Sequence, residues 1–88
     1  MKAKEGFILR NIMGDYILSP KGSTIKEFQA TVVMNELSAF VWGKIQEEIT
    51  RDDLTEAILE EYDVERETAE KDLDLLLTKF RDYGILEE

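Results

Sequence analysis

No cysteine and no histidine occur among the 88 residues, and there is a single proline. Without thiols the chain can form no disulfide scaffold, no cysteine-ligated zinc finger and no thiol nucleophile. Without imidazole it also lacks the commonest metal ligand and the commonest general base, so enzyme readings shrink sharply. Long apolar runs are missing too. None approaches the roughly 18 residues that a membrane span needs, and Met1-Lys2-Ala3-Lys4-Glu5 leads into no apolar signal region, so a cytoplasmic protein without membrane contact is expected. Positive charge is scarce in the second half. Residues 1–44 carry 6 basic and 4 acidic groups, whereas residues 45–88 carry 5 basic and 16 acidic groups, which places −11 of the net −9 there. Nucleic-acid affinity rests largely on Lys and Arg replacing counterions at phosphates, and so acidic a surface repels DNA and RNA.

What is present fits one domain, spanning residues 1–88, because chains divide into separate cores only well beyond this length. The apolar fraction of 43% lies in the folded globular range. Phe7-Ile8-Leu9-Arg10-Asn11-Ile12 and Tyr16-Ile17-Leu18-Ser19 are short β-prone runs, and Gly14-Asp15 between them signals a tight hairpin turn. Pro20-Lys21-Gly22-Ser23-Thr24 is a turn cluster separating the hairpin from Phe28-Gln29-Ala30-Thr31-Val32-Val33-Met34, whose β-branched residues predict a third strand. Three strands need a helical layer over one face.

The second half supplies that layer. Asn35 is a good N-cap, and Leu37, Phe40, Val41, Ile45 and Ile49 follow at helical spacing, with Trp42 widening the stripe. Thr50, with Asp53 three residues on, resembles a capping box and opens a second helix that ends near Asp63 and buries Leu54, Ala57, Ile58, the Glu61 stem and Tyr62. A third, longer helix begins at Glu65-Arg66-Glu67, with Ala69, Leu73, Leu76, Leu77 and Phe80 on one stripe and Gly84 in a C-cap position. The order is therefore βββααα. The fold class is α+β, a three-stranded antiparallel sheet followed by three helices in a winged helix-turn-helix-like arrangement.

Chemistry has little to work with. Asp52, Asp53, Glu56, Glu60, Glu61, Glu67, Glu70, Asp72 and Asp74 fall mostly on the polar faces of amphipathic helices, and neither EF-hand spacing nor a glycine-rich phosphate loop is present. No metal and no organic cofactor is expected. Trp42, Phe40 and Phe80 read as core aromatics. Leu75 differs from them: at ~100° per residue it lies about 160° from Leu73, off the core stripe and among Lys71, Asp72 and Lys79. It is either an ordinary exposed leucine or part of a contact surface. The third strand leaves a similar choice. Gln29 to Met34 holds no proline and no charge to discourage pairing, so it is either open to an extended peptide or covered by a loop or a second copy of the chain.

Three stretches together resemble a known family. They are the strand ending in Asn35 followed by Glu36-Leu37-Ser38-Ala39-Phe40-Val41-Trp42; Thr50-Arg51-Asp52-Asp53-Leu54-Thr55-Glu56-Ala57-Ile58 with Glu61-Tyr62-Asp63-Val64; and Ala69-Glu70-Lys71-Asp72-Leu73 through Phe80-Arg81-Asp82-Tyr83-Gly84-Ile85-Leu86. Over nearly the whole chain, from Phe7 to Leu86, it is similar to the PqqD-like family. That resemblance implies a RiPP recognition element, a non-catalytic domain that binds the leader of a ribosomally made precursor peptide and presents it to a modifying enzyme, often a radical SAM protein. It further implies that the leader adds as a strand to the third β-strand in a groove against the third helix. The residues so indicated are Gln29, Ala30, Thr31, Val32, Val33 and Met34, with Asp72, Leu75, Leu76 and Lys79 on the helix. A winged-helix DNA-binding regulator would share the element order, but Glu65, Glu67, Glu70, Asp72 and Asp74 would turn the wrong charge towards phosphates. A homodimer that closes its sheet edge against its own copy is the third alternative.

Overall fold

A computed structural model describes residues 1–28 and 31–87. Its elements run β1 (Lys2–Ala3), β2 (Phe7–Ile12), β3 (Asp15–Pro20), a 3-10 turn (Gly22–Lys26), β4 (Val32–Met34), α1 (Glu36–Lys44), α2 (Arg51–Glu61), α3 (Arg66–Tyr83) and β5 (Leu86–Glu87). The class is α+β. Strands β2, β3 and β4 form an antiparallel sheet in that order, so β4 is an edge. Alternation along the strands turns Phe7, Leu9, Tyr16, Leu18, Val32 and Met34 towards the helices and leaves Ile8, Arg10, Ile12 and Val33 outside.

The hairpin turn sits one residue earlier than Gly14-Asp15. Ile12 pairs with Asp15, which makes Met13-Gly14 the two-residue loop, with φ of 54° and 89°. Both values are positive, as a primed turn requires for its twist to match the strands, and Asn11 Oδ1 accepts from the Gly14 N–H at 3.1 Å. Met13 takes the left-handed position although it is not glycine, with its side chain fully solvent-exposed.

The third strand is also shorter than residues 28–34. Pairing covers Val32 to Met34 opposite Leu18 to Tyr16. Before it, the Glu27 and Phe28 amides both donate to the Thr24 carbonyl, and the Phe28 ring packs edge-on against Phe7 at 5.1 Å, so Phe28 serves as core cover. Gln29 and Ala30 lie outside the described residues.

Helix α1 starts as its sequence predicts, with Asn35 Oδ1 accepting from the Ser38 N–H at 2.8 Å. It ends at Lys44, before Ile49. Glu47 and Glu48 would be unfavourable at the negative end of its dipole. The backbone beyond is engaged elsewhere: Ala3 N–H donates to the Ile45 carbonyl at 2.7 Å and Ile49 N–H to the Met1 carbonyl at 3.0 Å. The same N-terminal segment forms a small second sheet, β1 with β5.

Thr50 caps α2 by accepting from the Asp53 N–H, and Gly84 ends α3 at φ 75°, a left-handed position that glycine adopts without steric penalty. Glu61 is exposed, not tucked along its stem, because Leu54, Thr55 and Ile58 take the buried face of α2. The core joins Leu18 and Met34 of the sheet to Val41, Trp42, Leu54, Ile58, Leu73, Leu76, Leu77 and Phe80 of the helices. Trp42, 4% exposed, stands edge-on to both Phe7 and Phe80 at 6.1 and 5.8 Å. Helices α2 and α3 are further tied by Arg51, which donates to both carboxylate oxygens of Asp74 at 2.7 and 2.9 Å, and by an Arg66–Glu56 pair.

Candidate functional site

The free edge of β4 runs beside the outward shoulder of α3, with a trough between them. One depression of about 350 Å³ has Val32, Val33 and Met34 on one wall, Lys79 and Tyr83 on the other, and Leu76 and Phe80 below. It continues past Asn35 and Ser38, which it shares with a second depression of about 290 Å³ reaching Leu37, Asp72 and Leu75. At the opposite end, Val32 and Tyr83 also line a mostly apolar hollow of about 280 Å³ walled by Phe7, Phe28 and Ile85. The three depressions follow one line along α3.

The residues singled out from the sequence divide clearly. Val32, Val33, Met34, Asp72, Leu75, Leu76 and Lys79 all border this trough. Thr31 is exposed just before β4, and Gln29 and Ala30 fall outside the described residues. Leu75 is 59% exposed while its neighbour Leu76 is 6% exposed, so one forms a rim and the other a floor. Val33, at 70%, is the most exposed residue of β4 and faces the outer side of the sheet.

Sequence reasoning missed Tyr83, Asn35 and Ser38. A signal for Tyr83 existed, since it lies four residues beyond Lys79 and seven beyond Leu76 and so continues the Asp72, Leu76, Lys79 stripe. Asn35 and Ser38 gave no comparable signal. They read as the cap pair of α1, which they are, and only the approach of α1 to α3 turns them towards the trough.

Chemically the trough offers a strand edge unpaired among the described residues, apolar side chains below it, Asp72 and Lys79 at the rim and Glu27 at the far hollow. Such an arrangement suits an extended peptide, with backbone hydrogen bonds along the edge and alternate side chains entering the depressions. Titrating groups shifted from their ordinary values lie elsewhere: the Arg51 guanidinium holds the Asp74 carboxyl below the usual aspartate range, and burial raises the Tyr62 phenol. Among the described residues, no group of three or more Asp or Glu is placed to hold a metal ion. Among the same residues, no helix is long and apolar enough to cross a membrane.

The family profile for PqqD, coenzyme PQQ synthesis protein D, matches residues 16–86. The chain belongs to the PqqD family. The match takes in β3, β4 and all three helices, and hence both walls of the trough. Two solved structures share the fold of this family member. One is TbiB1 in complex with the TbiA(beta) leader peptide, at 22% identity and a TM-score of 0.77, covering 99% of this chain and 95% of that one. The other is a lasso peptide synthetase B1 complexed with its leader peptide, at 18% identity and a TM-score of 0.75, covering 99% and 96%. Among curated proteins, none matches the sequence.

Proposed function

We propose that this PqqD family member is a peptide-binding RiPP recognition element, which takes the leader of a ribosomally made precursor as an added strand on β4 and presents the precursor to a modifying enzyme. The observation that carries the reading is the juxtaposition of the free β4 edge with the apolar floor formed by Leu76 and Phe80. Family membership supports it, as does the shared fold with two proteins solved bound to leader peptides. The leader contacts Thr31 to Met34 along its backbone and Asp72, Leu75, Leu76 and Lys79 through its side chains; Gln29 and Ala30 are included among its contacts from the sequence. The protein acts by binding and not by catalysis, in the cytoplasm, with no resident cofactor. Its modifying enzyme is one such as a radical SAM protein.

Amide chemical-shift mapping tests the binding mode. The titrant is the leader of a short precursor, should one be found encoded near this chain's gene. Shifts concentrated on residues 31–34 and on the Asp72 to Tyr83 stretch of α3 are expected, together with slowed exchange of the outward β4 amides. Shifts confined to α1 and α2 would show that strand addition is wrong even where the peptide binds. Radical SAM partnership is tested separately, by co-purification of this chain with a radical SAM protein from the same source; an enzyme of another class modifying the precursor would refute that part alone.

A further inference from the structure

On the other side of the first turn of α1 lies a second cleft, of about 260 Å³, which the leader reading does not use. Asn35 and Ser38 face the trough, whereas Glu36, Ala39 and Phe40 line this cleft together with Leu9 and Tyr16 of the hairpin and Glu61 and Tyr62 of α2. Its walls are largely aromatic. Phe40 and Tyr62 meet edge-on at 5.6 Å, and Tyr16 completes the enclosure. The charged residues lining it are both acidic: Glu36 and Glu61 are exposed at the margin, and neither enters an ion pair among the described residues, although Arg51 and Arg66 engage the carboxylates between α2 and α3. Both carboxylates, with Tyr16, also help burial to raise the Tyr62 phenol, so this ring stays protonated with its hydroxyl available to hydrogen-bond.

Aromatic faces and uncompensated carboxylates attract the same kind of group, a cation with apolar flanks. The structure already contains a small instance, because the Lys44 ammonium lies 5.5 Å from the centre of the Phe40 ring. We propose that this cleft is a docking site for an arginine side chain presented by a partner protein. Arginine fits better than lysine, since its planar guanidinium can stack on a ring while donating in-plane hydrogen bonds to a carboxylate. Glu36 and Glu61 come from different helices and can grip it from two sides. A leader lying in the trough is separated from the cleft by α1, so the arginine belongs to a second partner, and the test is independent of leader binding.

The probe is acetyl-arginine N-methylamide titrated into the full chain, followed by amide chemical shifts, with the acetyl-citrulline analogue as the uncharged isostere. Saturable shifts at Glu36, Phe40, Glu61 and Tyr62 are expected with arginine, smaller ones with the lysine analogue, and none with citrulline. Glu36→Gln/Glu61→Gln, which keeps both side-chain shapes, should weaken the arginine response about tenfold without altering the remaining amide spectrum. Equal shifts with citrulline would overturn the proposal. So would shifts spread over Glu67, Asp72 and the other exposed acids of α3, which is the pattern of a counterion atmosphere and not of a site.

Discussion

Leu75 and Leu76 are adjacent in sequence, but only Leu75 separates binding from stability, which makes it the most direct test of the proposed groove. Replacing Leu75 by Glu removes little from the folded state, because the side chain is 59% exposed. The introduced carboxylate gains favourable i+4 and i−4 partners in Lys79 and Lys71 and an unfavourable i−3 neighbour in Asp72; such pairs are each worth ~0.2–0.5 kcal/mol and partly cancel, so the net change stays within about 0.5 kcal/mol. Binding is different. Fully burying a leucine is worth ~1.5–3 kcal/mol, and the still-exposed six-tenths of Leu75 leaves ~1–2 kcal/mol for a leader to gain, or ~5- to 30-fold in affinity. Leu76→Ala perturbs both stability and binding, because the same side chain is core and groove floor. At 6% exposure it is a core truncation expected to cost about 2–5 kcal/mol and to lower Tm by at least ~10 °C in a domain of this size. Thermal unfolding by circular dichroism and leader affinity by fluorescence anisotropy measure the two effects. A Leu75→Glu protein that unfolds early, or that binds leader as tightly as the parent, would refute the argument.

Gly6→Ala should destabilise by about 2 kcal/mol or more, since Gly6 has φ of 97° and a Cβ there would lie 1.9 Å from Thr24 Oγ1; chemical denaturation measures it, and a loss below about 0.5 kcal/mol would mean that the Thr24 turn yields freely. Asp74 contributes stability above the ordinary aspartate value of 3.8, because Arg51 depresses its folded pKa, and that contribution is lost as pH falls through the depressed value. Asp74→Asn should therefore lower stability at neutral pH, with the difference from the parent shrinking in acid and in high salt; an undiminished difference in acid would assign the effect to packing. Duplex DNA should fail to bind at physiological salt, given a net charge of −9, and a gel shift at sub-micromolar protein that weakens steeply with salt would revive the regulator alternative.

Local signals in this chain were legible and non-local ones were not. The caps at Asn35 and Thr50 and the stop at Gly84 each depend on residues within one turn, and each is found where its sequence puts it. The displacement of Leu75 from the core stripe follows from helix period alone. The hairpin turn slipped by one residue because Gly14 can occupy either central position, and nothing local indicates that Met13 would take φ of 54°. The β1–β5 pairing is two residues long on each side and joins the ends of the described chain, so no alternation announces it. Ile49 fits the α1 stripe by spacing, yet its amide is bonded to Met1, a competitor visible only once the chain is folded. The groove shows the same division. Its rim on α3 could be read from period, while its closure by Asn35 and Ser38 depended on how α1 crosses that helix.

Charge explains why the two surfaces on either side of α1 should work differently. The β4 wall has no charged residue, and the α3 wall contributes Asp72 and Lys79, which offset one another at the rim. Affinity for a strand there must come mainly from backbone hydrogen bonds and apolar burial, neither of which is strongly screened by salt. The cleft at Glu36 and Glu61 has no such balance, and attraction at its exposed margin falls as ionic strength rises. The strongly acidic second half thus leaves the proposed leader groove close to neutral. Its excess charge falls on the outer faces of α2 and α3, with Glu61 at the margin of the cleft proposed to take a basic partner.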